Sequence, residues 1–307
     1  MTIERIDPLN QITQFFMKKI RQRWIESGVS EAECDGFIDK KIQAIREGKL
    51  SGVTVSEQGV PLGIIWRHCM SIHYGSMYVE YETEDALHPL IKGFIQSGDG
   101  KGTMMELDTP HTKEWVGEQL VAHGYIGLAR QGMVAALSGM MGPRLEKDSY
   151  SVRPLSRDSM GIVAKISWPA HQHSNDYPNY GPLSSYENRY KMEEEFWGGE
   201  YGKIIQGASW LLLNDGVPVS ICETVNSEYW GQSNFPWIFD IATDVAHMGH
   251  GYGRDLLRFC MGMLWELGHD LVGLSVTKSN SGAIRVYNAL GFGVEEYRTE
   301  YIYPLGY

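Results

Sequence analysis

The feature that most limits what this 307-residue chain can fold into is an internal repeat. Gln58-Gly59-Val60-Pro61-Leu62-Gly63-Ile64 returns as Asp215-Gly216-Val217-Pro218-Val219-Ser220-Ile221, an offset of 157. Ala122-His123-Gly124-Tyr125 returns as Ala289-Leu290-Gly291-Phe292 at an offset of 167. The first pair places a polar residue and a glycine between β-rich runs, which predicts a tight hairpin. The second pair places a glycine after a helical pattern, which predicts a helix end. Two copies of one plan imply two similar domains, with a net insertion of ten residues between hairpin and last helix of the second copy. The stretch 139–149, rich in Met, Gly and Pro and then charged, suits a linker, so the expected domains are 1–140 and 150–307.

The elements around the repeat follow from hydrophobic spacing. Ile12, Phe15, Phe16, Ile20 and Trp24 predict one helix, and Ser30 with Glu33 forms a capping-box pattern for a second. Strands are expected at Val53–Ser56, Pro61–His68, Tyr74–Tyr81, Thr103–Leu107 and Met133–Leu137, with helices at Leu87–Ile95 and Thr112–Ala122. The second half replays this order. A strand at Tyr150–Leu155 leads to a helix ending near Ile166, and the polar, aromatic stretch 168–184 reads as a loop. A helix over Ser185–Trp197 follows, with Glu193-Glu194-Glu195 expected on its solvated face. Strands are then expected over 203–213, 217–225 and 236–244.

The last of these strands runs into Gly249-His250-Gly251-Tyr252-Gly253, after which Leu256, Leu257, Cys260, Met261, Leu264 and Trp265 share one helical face. Strand, glycine loop and helix form a geometry that holds a phosphate, because glycines admit close approach and the first helical amides point at the anion. The spacing is neither the dinucleotide fingerprint nor a P-loop. A strand at Leu271–Val276 and then Asn280-x-x-Ala283-x-x-x-Tyr287-x-x-x-Gly291-Phe292 complete the pattern. Over about residues 236–295 this combination resembles the GNAT superfamily of acyl-CoA-dependent N-acyltransferases. Met248 stands where the superfamily has Gln or Arg, which removes one polar donor from the expected pyrophosphate site.

The resemblance implies an α/β (α+β) fold of two tandem GNAT-type domains, each a mixed, mostly antiparallel sheet flanked by helices. It implies acetyl-CoA as cosubstrate for the C-terminal domain. Ile241, Ala242 and Thr243 would pair with the pantetheine arm, and Asn280 would bond to it or cap its helix. Gly249, His250, Gly251, Tyr252, Gly253 and Arg254 would hold the pyrophosphate. Tyr287 matches the general acid that protonates the leaving thiolate, although its helix stripe with Ile284 and Leu290 also suits a core aromatic. The base is Asp240, Glu223 or water, since strand alternation alone leaves the facing of both carboxylates open. His171, His173, Tyr177 and Trp230 are the candidates for contact with the acceptor. The N-terminal copy is expected to be degenerate: Lys113 and Leu120 stand at the places of Asn280 and Tyr287, and Glu82-Thr83-Glu84-Asp85 replaces the glycine loop. The implied activity is acetyl transfer to the primary amine of a small molecule, with a peptide as second choice. The rival is a non-catalytic acyl-CoA-binding or regulatory module.

Charge and composition bound the partners. A formal net charge of −11 argues against nucleic acid and is compatible with a cationic acceptor. Cys34, Cys69, Cys222 and Cys260 stand apart without C-x-x-C spacing, which predicts reduced thiols in a cytoplasmic protein. A monomer or homodimer is expected. No metal site is expected, because His171 and His173 lack a third ligand, and no window is apolar enough to imply a membrane span.

Overall fold

The computed structural model describes residues 1–69, 74–99, 101–139, 142–174, 185–229 and 232–304. The first half contains β1 (Thr2–Arg5), α1 (Gln11–Glu26), α2 (Glu31–Arg46), β2 (Leu50–Glu57), β3 (Val60–Cys69), β4 (Tyr74–Tyr81), α3 (Leu87–Ser97), β5 (Met104–Asp108), α4 (Lys113–Ala122) and β6 (Ile126–Ala136). The second contains β7 (Tyr150–Pro154), α5 (Met160–Gln172), α6 (Tyr186–Gly198), β8 (Lys203–Ile204), β9 (Trp210–Asn214), β10 (Val217–Tyr229), β11 (Gln232–Thr243), α7 (Tyr252–Glu266), β12 (Leu271–Thr277), α8 (Ser281–Ala289) and β13 (Gly293–Ile302). The repeat is visible in the backbone. Gln58 and Gly59 have φ of 50° and 81°, and Asp215 and Gly216 have 49° and 78°. Positive φ at both central residues is what a two-residue hairpin turn of matching twist requires. The Ser30 capping box of α2 forms in both directions.

Two compact units result, Met1–Gly127 with Thr299–Tyr307, and Leu128–Arg298. In the first, β1, β2, β3 and β4 pair antiparallel, β4 pairs parallel with β5, and Glu300–Ile302 of β13 close antiparallel on Met104–Glu106 of β5. In the second, β7, β9, β10 and β11 pair antiparallel, β11 pairs parallel with β12, and β6 closes antiparallel on β12 from Arg130 to Ala136. The strand plans match, but the first unit takes its closing strand from the far end of the chain, and the second takes it from the segment just ahead of its own β7. The sheets are mixed and mostly antiparallel, as the sequence implies.

Alternation along each strand supplies a core on both faces. In the first unit, Ile64 joins Phe16, Met17 and Ile20 of α1, while Ile65 joins Leu90, Ile91 and Phe94 of α3. In the second, Ile221 packs with Val163, Ile166 and Ala170 of α5, while Cys222 packs with Leu256, Leu257 and Cys260 of α7. Cys34, Cys222 and Cys260 are buried free thiols. Among the described residues no helix is long and apolar enough to cross a membrane.

Two glycines of the first unit give opposite expectations. A Cβ at Gly52 would stand 2.1 Å from the Ile65 carbonyl oxygen and 2.6 Å from the Trp66 Cα, backbone that has nowhere to move inside the β2–β3 pair. Gly36 is exposed inside α2 with nothing within 4 Å of its added Cβ. Gly52→Ala is therefore expected to destabilise by at least about 1–3 kcal/mol through overpacking. Gly36→Ala is expected to stabilise by about 0.5–1 kcal/mol through helix propensity. Urea unfolding of both variants checks the pair.

Candidate active site

The glycine loop is built to meet an anion. Gly249 and Gly251 have φ of 80° and 87°, a region that side chains rarely adopt, and Gly251 serves as the N-cap of α7. The amides of Tyr252, Gly253 and Arg254 in the first turn have no intrahelical acceptor, and the positive end of the helix dipole lies with them. Gly253 is needed for a different reason. A Cβ there would meet Thr243 Oγ1 at 2.9 Å, so the first turn of α7 packs directly on the end of β11. Arg254 donates from Nη2 to Asp255 at 2.8 Å and keeps half its side chain in solvent beside that turn.

Beside the loop lies an open strand edge. The parallel pair of β11 with β12 registers at Trp237↔Gly273 alone, and a Cβ on Gly273 would run into the Trp237 ring at 2.6 Å. Beyond Trp237, residues Ile238–Thr243 have no ladder partner on the β12 side among the described residues. On its other side β11 stays paired with β10 through Thr243↔Ser220. In the first unit the corresponding parallel pair is closed through five positions, Tyr74↔Met104 to Tyr78↔Asp108.

A β-bulge sets the chemistry on the helix-covered face. The register of β10 with β11 shifts between Glu223↔Asp240 and Thr224↔Ile238, which leaves Phe239 as an extra residue. Phe239 stacks on Phe196 at 5.1 Å and lies 4.6 Å from Tyr201, and Asp240 also faces α5 and α6. Two consecutive residues thus point the same way. Glu223, directly opposite Asp240, shares that face, as cross-strand neighbours do.

Both carboxylates meet a guanidinium with no solvent exposure. Arg189 of α6 donates to Ser167 Oγ at 2.8 Å, to Glu223 at 3.0 Å, to Asp240 Oδ2 at 2.8 Å, and to Glu193 one turn along its own helix. Ser167 donates its hydroxyl to Asp240 Oδ2 at 2.6 Å, and His171 Nε2 lies 2.8 Å from Asp240 Oδ1. Burial pushes the Asp240 carboxyl up, but His171, Arg189 and Ser167 outweigh it and hold Asp240 below the usual carboxylate range. Burial and then the nearby Glu193 push Glu223 well above that range, against Arg189, and burial raises Glu193 too. Oε2 of Glu193 and Oε1 of Glu223 are buried acceptors without a donor among the described residues. One proton shared between these two carboxylates satisfies both.

Comparison with known proteins gives this geometry a family. A profile of the Acetyltransferase (GNAT) family matches residues 165–292. The (ribosomal protein bS18)-alanine N-acetyltransferase of Haemophilus ducreyi is 30% identical over 105 residues, which are 33% of this chain and 67% of that one. The chain belongs to the GNAT acetyltransferase family. Two solved structures extend the likeness in fold to nearly the whole length. A GCN5-related N-acetyltransferase from Sphaerobacter thermophilus aligns with a TM-score of 0.50 at 16% identity, over 97% of this chain and 95% of that one. A tandem GNAT protein from the clavulanic acid biosynthesis pathway aligns with a TM-score of 0.50 at 12% identity, over 98% of each. The chain is therefore an acyltransferase with two GNAT-type α/β folds.

Against this family pattern the sequence-derived candidates fall into three places. Ile241, Ala242 and Thr243 lie on the open edge of β11, and Gly249 through Arg254 form the loop and first turn of α7. Asn280 caps α8, its Oδ1 accepting from the Ala283 amide at 3.2 Å. Tyr287 of α8 is 9% exposed and packs on Phe292 within the core beneath α7, so its ring belongs to that core as well as to the motif. Asp240, Glu223 and His171 are brought together, whereas His173 turns away to the Pro169 carbonyl at 2.9 Å. Tyr177 and Trp230 lie outside the described residues.

Two expectations are corrected. α5 does not stop near Ile166 but continues through Pro169 to Gln172, so His171 stands in a last helical turn rather than on a loop. Trp168-Pro169 reads as a terminator in sequence, yet Ala170 is buried against the sheet and Ser167 and His171 are anchored on Asp240, which holds the turn. Glu193 is not solvated: it is wholly buried on Arg189. Arg189, Ser167 and Glu193 are the site residues that sequence reasoning missed. The signal was present, since Arg189 and Glu193 fall on the same helical stripe as the buried Met192 and Phe196.

The buried cluster predicts two opposite pH dependences. Asp240, depressed in the folded state, contributes stability above the ordinary aspartate range and loses it as pH falls through its lowered value. Glu223, raised in the folded state, contributes below the ordinary glutamate range and loses it as pH rises. Glu223→Gln is expected to leave stability almost unchanged below the ordinary glutamate range and to flatten the decline that sets in above it, so that the variant gains on the parent protein as pH rises. Asp240→Asn, which leaves a buried cation short of a partner, is expected to cost about 3–5 kcal/mol. Denaturant unfolding of each variant across pH tests both.

Proposed function

We propose that the protein is an N-acetyltransferase that moves the acetyl group of acetyl-CoA to the primary amine of a small, cationic acceptor by direct attack. The observation that carries this reading is the open edge of β11 ending at the free amides of α7. Beyond Trp237↔Gly273 the strand offers unpaired backbone groups to an extended amide-bearing ligand, and the first turn of α7 lies where its phosphates would end. Bound acetyl-CoA supplies the acyl thioester. The chain supplies the rest: Ile241–Thr243 align the pantetheine arm, Gly249–Arg254 hold the pyrophosphate, Asn280 keeps the start of α8 in place, and Tyr287 gives a proton to the departing sulfur. The net charge of −11 favours a cationic amine over an acidic one. The relative that acetylates a ribosomal protein keeps a peptide N-terminus as the second acceptor class.

The N-terminal unit is read as a degenerate copy without a cofactor site. Its β4–β5 pair stays closed as far as Tyr78, and Glu84 and Asp85 lie just ahead of α3 where the second unit has glycines, so that helix start repels an anion. The domain limits 1–140 and 150–307 and a cytoplasmic location belong to the same reading.

Thiol release from acetyl-CoA, measured with a panel of polyamines, amino sugars, amino acids and an alanyl peptide, tests the activity. Turnover confined to the small amines is expected, whereas turnover of the peptide alone would move the acceptor class. Binding of CoA without turnover of any amine would establish the non-catalytic module instead. Titration calorimetry should find one CoA per chain. Tyr287→Phe is expected to lower kcat by about a hundredfold or more with the KM for acetyl-CoA unchanged.

A further inference from the structure

Resting on the acyl-transfer reading, we infer that His171 is the general base of the reaction and that Asp240 is its positioning residue, held in place by Arg189 and Ser167. The geometry resembles the way a buried carboxylate orients a catalytic imidazole in hydrolases. His171 Nε2 lies 2.8 Å from Asp240 Oδ1, which makes Nε2 the protonated nitrogen and leaves Nδ1 as the acceptor. Nδ1 has no partner among the described residues, and the ring keeps a quarter of its surface in solvent. Asp240 itself is poorly suited to take a proton from a substrate. It is 7% exposed, and its two oxygens already receive three donors, from His171, Ser167 and Arg189.

The location fits the role. Asp240 stands between Trp237, where β11 last pairs with β12, and Ile241–Thr243, the segment with a free edge. The imidazole is therefore tethered to the strand at the start of the opening, on the α5 and α6 face. The charged groups around it are Asp240 on β11, Glu223 on β10, and Arg189 and Glu193 on α6. With one proton shared by Glu193 and Glu223, this group carries two negative charges against the one positive charge of Arg189. An imidazolium formed at His171 brings the sum to zero, so the charge that the base acquires during the reaction is balanced within the group.

The acceptor ammonium first releases one proton to solvent. The neutral amine then attacks the thioester carbonyl, a C–N bond forms and the C–S bond breaks. The proton lost by the amine nitrogen goes to His171 Nδ1, the leaving sulfur takes the Tyr287 phenol proton, and the imidazolium returns a proton to the phenolate through water. The products are an acetamide and a free thiol.

The test uses the full-length protein, acetyl-CoA and the panel amine that the unmodified enzyme acetylates best. Nitrogen NMR of the histidine rings should show His171 as the Nε2–H form, and Asp240→Asn should change that signature. His171→Gln, at a partly exposed position, should fold normally and lose about 10²–10⁴-fold in kcat. The KM for acetyl-CoA should be unchanged, and the acid-side limb of the kcat/KM profile should disappear. Asp240→Asn should lower kcat more than KM and move the same limb. An unchanged kcat and pH profile in His171→Gln, or a His171 ring carrying its proton on Nδ1, would overturn the assignment. No acetylation of any amine by the unmodified enzyme would overturn the acyl-transfer reading and this assignment with it, a result distinct from loss in the variants alone.

Discussion

The second unit is organised around a guanidinium that water never reaches. Arg189 joins α6, on which it sits, to α5 through Ser167, to β10 through Glu223 and to β11 through Asp240. Burying such a charge costs several kcal/mol unless every donor is met, and here Nε, Nη1 and Nη2 all find acceptors. The converse holds for the acids. Three carboxylates on one face would repel one another and lose their hydration, and the arrangement survives because one cation and one shared proton compensate them. Such a cluster contributes little net stability compared with an apolar core of the same volume. What it secures is a unique placement of two helices on a strand pair, and with it the placement of His171.

Much of the plan is legible in the sequence because it rests on local chemistry. Gln58-Gly59 and Asp215-Gly216 announce their hairpins through residues that tolerate positive φ, Ser30 and Glu33 announce a helix start through reciprocal bonds, and Gly249–Gly253 announces an anion-ready helix N-terminus. The facing of Asp240 and Glu223 is not legible, for a geometric reason. Alternation assigns faces only in a regular strand, and the bulge at Phe239 resets the parity in the middle of β11. Arg189 and Glu193 were hidden differently. Their type argues for solvent, and only the Met192 and Phe196 stripe argues for the interior. The closing strand of the first unit was the least visible. β13 has a mostly exposed, charged first part, Val294 to Glu296, and its last residues pair with Met104–Glu106 of β5, far back along the chain. No short-range pattern encodes such a pairing.

The two halves show how one backbone plan can hold or lose a ligand site. Both sheets contain a parallel pair at the same place in strand order, followed by a helix on the way to the next strand. In the first unit that pair stays in register through Tyr78↔Asp108, and beyond it the Tyr81 amide donates to His111 Nε2. In the second, β11 leaves β12 early and carries unpaired amides and carbonyls toward its end. An open edge is ordinarily a liability that proteins cover or charge. Here it ends against α7, where Gly253 allows the helix to sit on Thr243, so edge and helix N-terminus adjoin.

The same extra residue connects the two halves of the chemistry. Trp237 is the last residue of β11 that registers with β12, and Phe239 is the residue that β10 does not match. Bulges bend the strand that carries them and raise its local twist. A bend at Phe239 therefore accounts for the departure of β11 from β12 just beyond Trp237, and it turns Asp240 onto the α5 and α6 face. Opening the edge and aiming the carboxylate are then one structural event rather than two. Met248, exposed in the glycine loop, changes a side chain on that loop and leaves both consequences intact, because edge, amides and helix dipole are all properties of the backbone.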